Sequence, residues 1–373
     1  MSTLQDQLPF SDDLGPFKVI QVHEPSVGLH AVLVVDNVAA GPSIGGLRMA
    51  PDVSIAECAR LARAMTFKNA AAGLPHGGGK SVMMGDPHMS IEAKEPLVRA
   101  FASALRNEES YIFGPDMGTN EQCMAWVKDE IGRAVGLPRA VGGIPLDEIG
   151  ATALGLKAAA KVAEDYCEIT LAGARVVIQG FGSVGQHAAR FLAAEGSALV
   201  GVADSSGSVA NPDGLDVARL IELKKAGGKV IDYDPGRAGA PDAVIDIPCE
   251  IWIPAARPDV ITKANVGRLS TSLILQGANI PITPEAEQTL HDTGVVSVPD
   301  FIANAGGVIC GALEYAGATE SATLVAIEEK VGANTREVLE RSQSEKTLPR
   351  EAAVAMATER VRKAMNTRRW SVF

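Results

Sequence analysis

Arg175-Val176-Val177-Ile178-Gln179-Gly180-Phe181-Gly182-Ser183-Val184-Gly185 decides the reading of the fold. Five residues dominated by β-branched side chains run into a Gly-x-Gly-x-x-Gly turn, and residues 186–195 then carry a helical pattern. The glycine pattern alone is a weak signal. A strand before it and a helix after it are the context its mechanism needs. The first glycine permits the tight turn, the second lets backbone approach a pyrophosphate, and the third lets helix pack on strand. The helix start adds N–H donors and the positive end of a dipole. A second short apolar run at 198–203 completes a βαβ unit, the mark of a parallel sheet covered by helices.

Asp204 closes that second run, 19 residues after Gly185. A carboxylate there can accept hydrogen bonds from both ribose hydroxyls of an adenosine. It should also repel a 2′-phosphate, and the first basic residue after it is Arg219. The expected cofactor is therefore NAD. NADP stays open, because Ser205 and Ser206 could hydrogen-bond a phosphate. Gly180, Phe181, Gly182, Ser183, Val184, Gly185, Asp204 and Ser205 form the expected nucleotide site. The bland alternative, a glycine-rich turn without a ligand, is disfavoured by the flanking elements.

Outward from this unit, runs at 243–247, 251–254, 273–276 and 296–298 read as later strands of the same sheet. The stretch 205–240, rich in Gly, Asp and Ser, reads as loops around one helix. Helical patterning returns from 320, with Leu324, Ile327, Val331 and Val338 in register. Upstream, 146–166 reads as one long Ala-rich helix, and the loose Gly/Pro segment 136–145 before it marks a domain boundary. Two strands are expected within 17–36, turning at Pro25 and Gly28, followed by helices at 54–70 and 91–106. The fold class is α/β with two domains.

Composition agrees with two cores. The chain has 373 residues, 46% of them hydrophobic and 21% charged. A formal net charge of −11 gives no electrostatic reason to seek nucleic acid or an anionic membrane. Cys58, Cys123, Cys167, Cys249 and Cys310 are scattered, which argues against a disulfide framework or a zinc site and fits a reducing cytoplasm. Met1-Ser2-Thr3-Leu4-Gln5-Asp6 lacks the basic-then-apolar pattern of a signal peptide, and no uninterrupted apolar run is long enough to span a membrane. A cytoplasmic location is expected.

Lys80 follows three glycines in His76-Gly77-Gly78-Gly79-Lys80-Ser81 and invites a phosphate-loop reading. That loop needs a glycine where this chain has Leu74, and a strand where the preceding residues read as helix. Both requirements fail. A lysine among small residues can instead bring an amine close to substrate and cofactor, and shielding from water disfavours its ammonium. On Lys80 alone, a solvated loop lysine would be the simpler reading.

The neighbouring residues change that. The stretches Gly41-Pro42-Ser43-Ile44-Gly45-Gly46-Leu47-Arg48, Met65-Thr66-Phe67-Lys68-Asn69-Ala70, Gly77-Gly78-Gly79-Lys80 and Gly114-Pro115-Asp116-Met117-Gly118-Thr119 resemble the superfamily of glutamate, leucine, phenylalanine and valine dehydrogenases. Ala151-Thr152, Gln179 to Gly185, Gly277-Ala278-Asn279 and the run from Pro299 through Asn304 to Gly307 extend the resemblance in the same order over about residues 15–345. It implies NAD(P)-dependent oxidative deamination of an L-amino acid to a 2-oxo acid and ammonia. By the same resemblance Lys68 anchors the substrate carboxylate, Lys80 is the catalytic lysine and Asp116 exchanges protons with the amine. Thr152, Asn279 and Asn304 serve the nicotinamide end. Ile44, Gly45, Gly114, Val308 and Gly311 surround the substrate. The implied architecture is an N-terminal α/β substrate domain, 1–143 completed by helices at 340–373, and a Rossmann-type doubly wound domain, 144–339, separated by a cleft. A homo-oligomer is implied as well.

In glutamate enzymes of this superfamily a lysine precedes the Gly-Gly-[Ile/Leu]-Arg motif and a serine follows the Asn-Ala-Gly-Gly motif; together they hold the side-chain carboxylate. This chain has Ile44 and Gly311 there. Burying a carboxylate unpaired costs several kcal/mol, so the pocket should prefer an apolar or aromatic side chain, as in the leucine and phenylalanine branch. Gly114 and Gly311 are expected to enlarge it. Against this, Asp204 and the Asn211-Pro212-Asp213-Gly214-Leu215-Asp216 segment after it look more like the glutamate branch. His76 is either a packed ring or a polar group toward substrate. The alternatives are a glutamate dehydrogenase with a rewired pocket and a non-catalytic homologue kept for binding or assembly.

Overall fold

The computed structural model describes residues 10–367. Met1–Asp6 and the last residues of the expected 340–373 tail lie outside them. The chain divides into two compact units. One comprises the residues up to Pro145, Val308–Thr323 and those from Ala355 onward; the other comprises Leu146–Gly307 and Leu324–Val354. The C-terminal helices are thus shared differently from the expected 340–373 block.

The first unit is built on a five-stranded sheet. Its strands are β1 (Lys18–Glu24), β2 (Leu29–Asn37), β3 (Ser43–Ala50), β4 (Gly78–Met84) and β5 (Tyr111–Pro115), in the order β1-β2-β4-β3-β5. β1 and β2 form the expected antiparallel hairpin, with Gly28 donating to the Pro25 carbonyl in the turn. β2 meets β4 antiparallel, and β3 runs parallel to both β4 and β5. Helices α1 (Ile55–Ala71), α2 (Ile91–Ala104) and α3 (Glu121–Ile131) belong to the same unit. Ser54 and Asn120 cap α1 and α3 through the N–H groups of Glu57 and Cys123. Leu33, Leu47, Met83, Phe101, Phe113 and Val127 lie in its buried core.

Strand patterning does not mark β3, β4 or β5, because glycine is a poor strand former. Close packing explains the glycines. A Cβ on Gly78 would sit 2.0 Å from the Thr66 backbone nitrogen, so α1 crosses β4 in direct backbone contact. Lys80 therefore projects from a buried strand and not from a loop.

The second unit holds a seven-stranded sheet in the order β12-β11-β10-β6-β7-β8-β9. β6 (Arg175–Gln179), β7 (Ala198–Asp204), β10 (Ile251–Pro254), β11 (Leu273–Leu275) and β12 (Val296–Val298) are parallel. β8 (Gly207–Ala210) and β9 (Arg237–Gly239) add an antiparallel edge. Its helices include α4 (Ala151–Cys167), α5 (Ser183–Ala194), α6 (Val217–Lys225) and α7 (Pro284–Asp292). Further along the chain come α8 (Gly306–Tyr315), nearly all of it in the first unit, α9 (Glu320–Glu345), mostly in the second, and α10 (Pro349–Thr367), which belongs to the second unit up to Val354 and to the first from Ala355.

Three expectations need correcting. Residues 205–240 are not only loops around one helix, because β8 and β9 also lie there. Residues 146–166 do not form one helix: Leu146–Ile149 is a separate turn, and Gly150 breaks the run at φ +71°. A Cβ there would lie 2.5 Å from His187 Cγ, so the glycine also makes room for α5. Residues 243–247 are not a strand. Pro241 starts a 3-10 helix, Pro241–Asp246, whose Val244 and Ile245 are buried in the core.

Candidate functional site

β-Sheet alternation gathers the first cluster. The register pairs Gly46 with Gly114 and Leu47 with both Ser81 and Pro115. Lys80, Gly46, Gly114, Arg48 and Asp116 consequently share one face. Gly46 keeps that face open: a Cβ there would fall 2.7 Å from Asp116 Cβ and 3.1 Å from Lys80 Nζ. Lys80 Nζ donates to Asp116 Oδ2 at 2.8 Å, and Arg48 Nε reaches the same oxygen at 3.0 Å. The other arm of Arg48 is held by Glu57 Oε1 at 2.7 Å. Burial pushes the Asp116 carboxyl up, but Lys80 and Arg48 outweigh it and hold it below its ordinary value. An ionised Asp116 can take a proton, and Lys80 beside it can give one.

In the sequence Arg48 stands out only as the end of a glycine motif. Its position, two residues past Gly46 and hence on the same strand face, is the available signal. Lys68 is half-buried on the last turn of α1. His76 is a packed ring: its Nδ1 lies 3.0 Å from the Pro42 carbonyl and its edge meets Tyr315. Burial pushes its pKa down. A cavity of about 220 Å³ beside it, lined also by Asn37, Thr66, Leu74 and Arg360, includes neither Lys80 nor Asp116.

Ile44 lies on β3, on the same face as Gly46, and is almost fully buried. Ile44 pairs with Ile112 on β5, and Gly114, two residues on, pairs with Gly46 and has Gly45 O 3.7 Å from its Cβ position. The expected extra space beside the glycines is filled. Val135 Cγ2 is 3.5 Å from the Cβ position of Gly114 and 3.2 Å from that of Gly311. Val135 immediately precedes the loose 136–145 segment, and nothing in its sequence context singles it out. Glu314, one turn beyond Gly311 on α8, accepts the Leu137 and Ile144 N–H groups and so ties down the segment after Val135. Val308 is half-buried at the start of the same helix.

In the second unit, Gly180 takes φ +99° at the end of β6, where a Cβ would strike the backbone of Ala255 and Ala256 at 2.8 Å. Gly182 caps α5 and has nothing within 4 Å of its Cβ position. A Cβ on Gly185 would lie 2.0 Å from the Gly180 carbonyl oxygen. The turn is thus tight at the first glycine, open at the second and packed at the third, the shape that admits a pyrophosphate at a helix start. The Phe181 side chain is buried in the core, leaving only its backbone to face a ligand. Ser183 is exposed and Val184 half-buried.

Asp204 ends β7 as expected, but its surroundings differ from the cation-free site that the sequence suggested. Lys224, on the last turn of α6, donates to Asp204 Oδ2 at 2.7 Å. The Val230 N–H reaches the same oxygen at 3.4 Å, while Oδ1 takes the Ser206 N–H at 2.8 Å and the Ser206 hydroxyl. Burial pushes this carboxyl up, and these donors hold it below its ordinary value. Counting basic residues along the chain missed Lys224, because a helix brings it back. Ser206 is committed to Asp204; Ser205 is exposed.

Asn304 is buried and donates to the Gly277 and Ala278 carbonyls and to Asn279 Oδ1 at 3.1 to 3.4 Å. Its own Oδ1 has no partner among the described residues. That orphaned acceptor fits a ligand that brings an amide donor, as nicotinamide does. Thr152 Oγ1 lies near Gly307, on the start of α4. Behind the 277–280 loop, Arg350 donates to Glu287, to Asp300 Oδ1 at 2.9 Å and to Gln276 Oε1 at 2.8 Å. Asp300 Oδ2 in turn accepts the Ile280 N–H at 2.8 Å.

The comparisons agree with this geometry. Residues 142–369 match the family described as Glutamate/Leucine/Phenylalanine/Valine dehydrogenase, and residues 16–133 match its dimerisation domain. The chain is 35% identical over 357 residues to a glutamate dehydrogenase of Aeropyrum pernix, covering 90% of this chain and 85% of that one. It is 34% identical over 354 residues to an NADP-specific glutamate dehydrogenase of Saccharolobus shibatae, covering 89% and 83%. Among solved structures it is similar to the hetero-hexameric glutamate dehydrogenase of Thermus thermophilus in its leucine-bound form. The TM-score is 0.86 at 30% identity, with 94% of this chain and 90% of that chain covered. The chain therefore belongs to the glutamate/leucine/phenylalanine/valine dehydrogenase family and is an NAD(P)-dependent amino-acid dehydrogenase, an oxidoreductase acting on a CH–NH2 group.

Proposed function

We propose that this enzyme oxidatively deaminates an L-amino acid with an apolar side chain, of aliphatic or aromatic type. The observation that carries this is the group Gly45, Gly114, Val135 and Gly311, linked through Val135 and the Gly45 carbonyl, with buried Ile44 preceding Gly45 on the strand; no member is charged. A substrate side-chain carboxylate would find no cation among them, and burying it unpaired would cost several kcal/mol. Val135 sets the size limit, because it occupies the space that the two glycines leave.

The bound dinucleotide supplies the hydride acceptor. The chain's own residues do the rest. Lys68 holds the α-carboxylate. Asp116 takes a proton from the α-ammonium, so the lone pair on nitrogen can drive hydride loss from Cα. The iminium left on the substrate accepts water, and Lys80 steadies the oxygen as the C–N bond breaks. Ammonia leaves and the 2-oxo acid remains. Arg48 keeps Asp116 Oδ2 turned toward Lys80. Gly180, Gly182 and Gly185 would cradle the pyrophosphate, and Thr152, Asn279 and Asn304 would hold the nicotinamide end. The dimerisation-domain match supports self-association, here proposed as a homo-oligomer.

A glutamate dehydrogenase with a rewired pocket is the second reading, favoured by the relatives' names. Nicotinamide reduction across a panel of L-amino acids separates the two. Turnover of leucine, phenylalanine or similar substrates at least about tenfold better than glutamate is expected. Turnover of glutamate alone would overturn the apolar-pocket reading.

A further inference from the structure

Val135 is held on both sides. Its own N–H donates to the Phe113 carbonyl at 2.8 Å, which ties it to β5. Two residues on, the Leu137 N–H donates to Glu314 Oε1 at 3.2 Å. Gly136 between them takes φ +71°, a left-handed conformation in which glycine pivots at little steric cost. The upstream tie fixes Val135 to the sheet, and the downstream tie fixes it to α8.

Glu314 also takes the far end of the same loop. The Ile144 N–H reaches its Oε2 at 2.9 Å, so one carboxylate closes residues 137–144 at both ends. Within the loop the Pro138 carbonyl accepts the Val141 and Gly143 N–H groups at 3.1 Å. The loop is therefore compact in itself and fastened at its base. Arg139 adds an ion pair to Glu320 at 2.7 Å, but both side chains are more than a third exposed, and such a pair contributes little. Burial pushes the Glu314 carboxyl above its ordinary value, while the Ile144, Leu137 and Gly136 N–H groups pull it back. Hydrogen bonds to a carboxylate shielded from water are strong, and losing them leaves donors without a partner.

The helix links this fastening to the pocket. Gly311 and Glu314 stand three residues apart on one face of α8. The helix that presents Gly311 to Val135 thus also sets how close the Val135 segment comes. We infer that Glu314 is a specificity-determining positioning residue: by holding the base of the 137–144 loop on α8 it keeps Val135 against Gly311 and so fixes the depth of the side-chain pocket. This rests on the reading of Val135 as a wall of that pocket.

A double-mutant cycle in the full-length protein tests it. Glutamine at 314 keeps the shape but offers one acceptor oxygen, and its NH2 group meets an N–H. Glu314→Gln should speed hydrogen exchange in the 135–144 peptide by about tenfold. It should raise KM for leucine by about fivefold with kcat within about twofold, and move the phenylalanine-to-leucine ratio of kcat/KM toward phenylalanine by about fivefold. Glu314→Asp, which keeps both acceptors, should recover part of this shift. In a Val135→Ala background Glu314→Gln should move the ratio by less than about twofold, because the wall it holds is gone. Melting curves show which variants are folded, and Glu314→Asp carries the cycle if Glu314→Gln is not. A ratio that stays fixed, or that moves equally in both backgrounds, overturns the inference. A parent protein that turns over glutamate and neither apolar amino acid removes the apolar-pocket reading instead. The cycle is then read on the KM for glutamate, which Glu314→Gln should raise only while Val135 is present.

Discussion

Val135 fills the space that Gly311 leaves: its Cγ2 lies 3.2 Å from the point where a Cβ on Gly311 would be. Two glycines that in sequence suggest a roomy pocket are thus backed by a branched side chain from a third segment. Val135→Ala should shift preference toward larger aromatic substrates, raising kcat/KM for phenylalanine relative to leucine by about tenfold. Steady-state kinetics on the two amino acids checks this. An unchanged ratio would remove Val135 from the substrate pocket.

Ile44→Lys introduces the cation that glutamate enzymes carry at this position. Glutamate turnover should rise by about tenfold or more relative to leucine, because a buried carboxylate then has a partner. Gly311→Ser alone should add little and should lower stability by about 1 kcal/mol, since its Cβ presses on Val135. Substrate-panel kinetics and denaturant unfolding measure the two effects.

Arg48→Gln should cut kcat more than it raises KM, with Arg48→Lys recovering part of the loss. The pH dependence has a definite sign. Asp116 is held below its ordinary 3.8 in the folded protein. Its contribution to stability is therefore present above that ordinary value and is lost as pH falls through the lower folded value. Removing Arg48 raises the folded value and narrows that window, so acid unfolding should begin at higher pH in Arg48→Gln. Melting temperature followed from pH 7 downward tests this. An unshifted acid transition would show that Lys80 alone sets the charge of Asp116.

Arg350→Ala leaves Glu287 and Asp300 buried without their guanidinium. The loss should be about 3 kcal/mol in denaturant unfolding. Asp300 also fixes the Ile280 N–H, so the 277–280 loop should loosen and NADH affinity should fall beyond what the stability loss explains. Full NADH affinity at a temperature where the variant is folded would separate the network from the nucleotide site.

Local patterning carried much of the architecture. β6, α5 and β7 follow directly from a β-branched run, three spaced glycines and an apolar run, because each step depends on residues next to one another in the chain. The same holds for the β1–β2 hairpin and for α1 and α2. β3, β4 and β5 escaped because their glycines answer to α1 and to the site face, which lie far away in sequence. Residues 243–247 escaped because a proline just upstream turned an apolar run into a 3-10 helix.

The candidate site divides along the same line. The sequence alone determined the family, and its motifs of fixed residue type in fixed order are what propose the nucleotide turn and the set Lys68, Lys80 and Asp116. Tertiary structure alone decided who stands beside them: Arg48 on the oxygen of Asp116 that Lys80 shares, Val135 between Gly114 and Gly311, and Lys224 on Asp204. The physical reason is that charge compensation and pocket volume depend on distances of a few ångströms between segments, and linear order carries no such distances.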